Sequence, residues 1–258
     1  MNRRPVIIIL LILAAFAFIA VILTSVDKKL VRKPKAVIPI KGRIAIVIDD
    51  WGYNLNNLVI AEGIKEPITC AVLPNLKNSR LVSQRLKNLG FEIILHLPME
   101  PKEKYHLEKN TITASMNAAE VRNILNKDLA SISSAKGISN HMGSCVTEDA
   151  RASALIMSEA KKRNLYFLDS YVTSKSVCPL LAERMNIRFA KRNVFLDNRD
   201  DPAYIKEQIT KLKELAAKNG YAIGIGHDRR NTLLALKETI PKLVKSGYKF
   251  VFVSEVAE

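Results

Sequence analysis

Residues 43–52 read Arg-Ile-Ala-Ile-Val-Ile-Asp-Asp-Trp-Gly: five apolar residues in a row, two carboxylates, then a turn. An unbroken apolar run this short reads as a strand covered on both faces, because a strand with one wet face alternates. The same grammar recurs along the chain. Apolar, β-rich runs at 44–48, 68–73, 92–95, 137–140, 165–168, 187–196 (interrupted by Lys191-Arg192-Asn193), 222–225 and 250–253 alternate with longer periodic stretches at 117–133, 147–163, 202–219 and 232–246. Asn117 with Glu120 three residues on predicts a capping box, Thr147 a capping residue, and Asp201-Pro202 a helix start. Gly90, Gly220 and Gly247 stand where helices should end. The alternation predicts an α/β fold with a mostly parallel sheet. Seven or eight repeats in about 215 residues favour a (β/α) barrel over an open sheet, and no GxGxxG or P-loop points the other way.

The residues at the carboxyl end of each run are chemically biased. The first run ends in Asp49-Asp50-Trp51-Gly52, the third in His96-Leu97-Pro98-Met99-Glu100, the fourth in His141, the fifth in Asp169, the sixth in Asp197 and the seventh in His227-Asp228. Three of the four histidines therefore fall on one rim, the C-terminal rim where α/β barrels place their chemistry. Each residue also has a plainer reading. Asp49 and Asp50 would serve as a cap and a turn residue, and neighbours at a strand end point to opposite sides, so only one need face the centre. Structural hydrogen bonding would explain His96, His141 and His227, and capping or loop roles would explain Glu100, Asp169 and Asp197. Trp51 reads as a substrate platform or as packing. His106, in the Lys/Glu-rich stretch 102–110, reads as solvated.

Residues 6–23 are eighteen consecutive apolar residues after Asn2-Arg3-Arg4, a length suited to a membrane span and long for a cleavable signal. The expected organisation is an anchor or signal at 1–24, a basic tether at 25–42 and a barrel at 43–258. Of the net charge of +15, residues 1–41 hold +7, and no basic stripe interleaved with aromatics accompanies the rest, so nucleic acid is not an expected partner. Arg3 and Arg4 before the span, and Lys28, Lys29, Arg32, Lys33 and Lys35 after it, leave its orientation undecided by charge. Cys70, Cys145 and Cys178 form no even framework, although the last two are a possible pair.

The stretches IAIVIDDWGYN (44–54), GFEIILHLPMEP (90–101), GISNHMGS (137–144), LYFLDS (165–170) and AIGIGH (222–227) resemble the divergent polysaccharide deacetylase family, relatives of the carbohydrate esterases that act on chitin and peptidoglycan. The resemblance covers residues 43–258 and implies a deformed (β/α) barrel, usually of seven strands, in an exported protein, which turns the barrel behind the membrane span outward. It implies Asp49 as general base, Asp50 and His96 as ligands of a divalent metal (Zn²⁺ first by donor type), and His227 as general acid. The family's HxxxH becomes His96-Leu-Pro-Met-Glu100 here, so the remaining ligand is Glu100 or His141. Trp51, Asp169 and Asp197 remain as substrate-binding candidates, and the family's arginine motif has no clear counterpart. The implied partner is an acetylated polysaccharide or peptidoglycan-like glycan. Two other functions compete: a catalytically silent glycan-binding or assembly module, and a metal-free glycosidase that opposes Asp49 or Asp50 to Glu100 or Asp169.

Overall fold

The computed structural model describes residues 9, 12–22 and 39–258. The chain divides between Pro39 and Ile40 into two units. In the first, residues 12–22 are helical, and no helix among the described residues is long and apolar enough to cross a membrane. The remainder of the span expected at 6–23, and most of the tether, lie outside the described residues.

The second unit is an α/β fold with nine strands: β1 Gly42–Trp51, β2 Thr69–Val72, β3 Glu92–Met99, β4 Gly137–Met142, β5 Tyr166–Asp169, β6 Phe189–Lys191, β7 Val194–Phe195, β8 Tyr221–His227 and β9 Tyr248–Val251. They pair in parallel in the order β6-β5-β4-β3-β2-β1-β8-β7, with β9 beside the first half of β1. The expected count of seven or eight needs correcting at the interrupted run, which forms two strands. Phe189–Lys191 pairs with β5, the chain steps across at Arg192-Asn193, and Val194–Phe195 pairs with β8. Asn193 makes the step by donating its N–H to Ile223 O at 2.9 Å and accepting from Ile223 N at 2.7 Å. One short stretch thus touches both edges of the sheet and curls it into a barrel.

Two apolar clusters explain why the strands read as continuous apolar runs. Ile44, Ile46 and Ile48 pack with helix residues such as Val82, Leu86 and Leu236. Ala45 and Val47 pack instead with Ala71, Ile94, Leu168, Ile223 and Ile225, all from strands. Alternate residues of β1 therefore face the helices and the barrel interior. Continuing this alternation turns Asp49 inward after Val47, His96 after Ile94, and His227 after Ile225.

The helices begin largely where their capping chemistry puts them. Asn117 accepts from Ala119 N and Glu120 N while Glu120 reaches back to Asn117 N, closing the capping box on Ala118–Ser131. Asp201 caps Pro202–Asn219, which ends at Gly220 in the left-handed region, φ 83°. Thr147 is not the cap expected: it lies in a 3₁₀ turn and donates to Gly143 O, and Asp149 caps Ala150–Lys162. Cys70, Cys145 and Cys178 are all free.

Candidate metal centre

The carboxyl end of β1 carries an irregularity that decides the site. Ile48 is in register with Cys70 but Trp51 with Val72, so β1 spends one residue more than β2 across this step. Asp50 occupies it in the left-handed region, φ 66°. A regular strand would send Asp49 and Asp50 to opposite sides; the bulge lets both reach the barrel mouth. Register then brings the other strands in, with Asp49 beside His227 and His96 beside Ser139.

Asp50 Oδ1 lies 3.3 Å from His96 Nε2 and 3.1 Å from His141 Nδ1. The ligand-type atoms of Asp50, His96 and His141 all fall within 4.8 Å of one another. His96 is fixed from behind by Ser139 Oγ at 2.8 Å from Nδ1, leaving Nε2 toward Asp50. Asp49 Oδ2 stands 3.6 Å from His96 Nε2, and its Oδ1 is buried without a hydrogen-bond partner. Leaving such an oxygen unpaired costs about 1–3 kcal/mol. One carboxylate, two imidazoles and a neighbouring unsatisfied carboxylate oxygen fit a divalent cation that takes N and O ligands.

The electrostatics separate the two aspartates. Burial pushes the Asp49 carboxyl up, with the nearby histidines only partly opposing it. Burial acts the same way on Asp50, but hydrogen bonds from His141 and His96 outweigh it and hold Asp50 far below the usual carboxylate range. Burial disfavours charge on His227, yet Asp197 more than compensates and the pKa rises. Next to it, burial lifts Asp228 to about 6, against a hydrogen bond from Asn57.

On the far side of the centre, His227 Nε2 is 3.9 Å from Asp50 Oδ2, and its Nδ1 is 3.0 Å from Asp197 Oδ1. Asp197 is fully buried, and its Oδ2 accepts from His227 N and Thr232 Oγ1. Its reading as a substrate-binding residue is therefore corrected: both oxygens are occupied in orienting His227. Asp169 is likewise committed, accepting from Tyr171 N and Ser176 Oγ at 2.7 Å each. Trp51 is fully buried and presents no face to a substrate. Glu100 is not among the converging ligand-type atoms, and its Oε2 accepts from Ala114 N at 2.8 Å. With Glu100 and Asp169 spent on loop contacts, the carboxylate pairs of the glycosidase reading are not assembled.

Arg192, in sequence no more than part of an interruption, has a defined place at the site. It donates to Ser170 O and Tyr171 O at 2.6 and 2.8 Å and lies 4.7 Å over the Phe195 ring, which packs 5.2 Å from the His227 ring. Its sequence signal is the break itself, the polar Lys191-Arg192-Asn193 between two apolar pieces of one run.

A barrel with a carboxylate–histidine cluster at its mouth, flanked by a second acid and a carboxylate-held histidine, offers a place where a divalent metal could be held beside acid–base groups. The chain belongs to the divergent polysaccharide deacetylase family, whose pattern matches residues 46–257. It is 35% identical over 202 residues to the uncharacterized protein YibQ of Escherichia coli, a match covering 78% of this chain and 63% of that protein. Among solved structures, it is similar to an uncharacterized Agrobacterium tumefaciens protein (TM-score 0.79, 22% identity, 87% of this chain and 92% of that one). The fold also matches a family 4 carbohydrate esterase of Streptomyces lividans in complex with acetate (TM-score 0.53, 13% identity, 81% and 91% covered). A Bacillus anthracis protein described as a pseudoenzyme of that same family matches as well (TM-score 0.52, 15% identity, 85% and 66% covered).

Proposed function

We propose that this protein is a metal-dependent hydrolase that removes acetyl groups from an envelope glycan. The observation that carries the reading is the arrangement around one point. Asp50, His96 and His141 converge there, Asp49 stands on one side with an unpaired oxygen, and His227 stands on another, oriented by Asp197. Asp50, His96 and His141 would hold the cation, with Zn²⁺ the first choice for this donor set. Bound there, it would acidify water and polarise the acyl oxygen. Asp49, whose buried carboxyl has a raised proton affinity, takes the proton from the attacking water. His227 delivers a proton from Nε2 to the departing amine, while Asp197 keeps Nδ1–H bonded and the ring in place. Arg192, against Phe195, lines the His227 side with positive charge.

The catalytically silent reading has one observation in its favour: the place of the second histidine in HxxxH is taken by Glu100, which serves the loop. Acetate release from acetylated glycan oligomers tests the choice. Release that stops on chelation and returns with a divalent cation is expected; glycan binding with no release on any acetylated oligomer would favour the silent module. On the same reading the anchor occupies 1–24 and the tether 25–42, with the barrel at 43–258 outside the cytoplasmic membrane.

A further inference from the structure

With Trp51 in the core, the next aromatic ring after the two aspartates, Tyr53, lies two residues on and meets solvent. Gly52 makes the change of direction, at φ 127° and packed so tightly that an added Cβ would stand 3.1 Å from Ser79 Oγ and 3.3 Å from Leu73 O. The chain thus buries Trp51 completely and leaves Tyr53 half exposed. Tyr53 is not a loose surface side chain. Its carbonyl accepts from Asn78 Nδ2 at 2.9 Å, and its hydroxyl donates to Glu108 Oε1 at 2.5 Å. Glu108 belongs to the segment after β3, and Tyr53 to the segment after β1. The Tyr53–Glu108 bond therefore spans the two loops that leave the strands carrying Asp50 and His96. Tyr53 stands three residues beyond Asp50, on the segment that leaves the end of β1.

We propose that Tyr53 is the sugar platform of this site, its half-exposed ring held at the cluster's edge to stack on the C–H face of a pyranose. The proposal rests on the glycan reading above and names the residue that seats the sugar ring. A ring immobilised by a hydrogen bond at its far end loses little freedom on binding, and an aromatic face meets the apolar face of a pyranose without needing charge. The plainer role, a latch that merely ties two loops together, predicts something different. If the ring is the platform, removing the ring must hurt and removing the hydrogen bond must not.

Binding of acetylated amino-sugar oligomers to Tyr53→Ala, Tyr53→Phe and Glu108→Ala separates the two, with bound metal measured in each variant. Tyr53→Ala should weaken binding about tenfold or more and raise KM with kcat little changed, at undiminished metal content. Tyr53→Phe and Glu108→Ala should stay within about threefold of the parent. Equal losses in all three variants, or unchanged binding in Tyr53→Ala, would overturn the platform. A parent protein that binds these oligomers through Tyr53 without hydrolysing them would leave the platform standing and remove the deacetylase reading. Absence of binding by the parent would remove both.

Discussion

Asp49 and Asp50 are adjacent and chemically identical, yet their surroundings assign them different work. Asp50 is tied to two imidazoles and stays ionised; Asp49 is buried with an oxygen to spare and holds a proton more readily. Asp49→Asn and His227→Ala are expected to retain metal and fold while losing about 10²–10⁴-fold in turnover each. Near-full deacetylation by either would remove its acid–base role. Most of these residues are visible in the sequence because each sits just after an apolar run, where polar side chains need a reason. Others are hidden for physical reasons. Asp197 is invisible as a histidine's partner because the contact joins residues thirty apart in sequence. Trp51 follows the strand's packing rather than its polar neighbours. The bulge that turns both aspartates inward is a backbone event, with no residue type to announce it.

The loop between β3 and the helix Ala118–Ser131 accounts for the altered HxxxH. Glu100 accepts from Ala114 N, Lys102 N donates to Ser144 Oγ at 2.9 Å, and Glu108 receives Tyr53. A histidine in place of Glu100 would forfeit the carboxylate that folds the loop back, and His141 from β4 already stands at the cluster. Glu100→Ala should therefore loosen this loop, seen as faster amide exchange around 100–114, without releasing metal. The helix itself carries a stability cost. Asp128 is fully buried, with one oxygen bound by Asn75 Nδ2 and the other unpaired, and burial lifts its pKa to about 7. The folded state thus holds a proton that the unfolded state gives up near 3.8, so stability falls as pH rises from about 4 to 7 and is level above. Asp128→Asn should abolish that slope and gain on the order of 3 kcal/mol at pH 8 in denaturant titrations. A variant whose stability falls over pH 4 to 7 as the parent's does would contradict this. Helix placement is legible wherever capping is local, as at Asn117 and Asp201, and fails at Thr147, whose hydroxyl turns to Gly143 O. The sixth run is legible as strand, but its change of partner depends on the distant edges β5 and β8.

The barrel brings residues from β1, β3, β4 and β8 to one mouth, and that convergence follows from parallel strands whose inward positions alternate in phase. The contacts of Asp50 with His96, His141 and His227 join strands far apart in sequence, so residue types are readable from the chain and their pairing is not. If the barrel lies outside the cytoplasmic membrane, protease added to intact spheroplasts should digest it while a cytoplasmic control survives; equal protection of both would refute that placement. The proposed deacetylase chemistry depends above all on whether Asp50, His96 and His141, which converge at the barrel mouth, hold a metal. Metal content of freshly purified protein, compared among the parent and the variants His96→Ala, His141→Ala, Glu100→Ala and His106→Ala, tests it most directly. One equivalent of divalent metal is expected in the parent, Glu100→Ala and His106→Ala, and its loss in His96→Ala and His141→Ala. Retention in His141→Ala with loss in Glu100→Ala, or no metal in the parent at all, would contradict the site described.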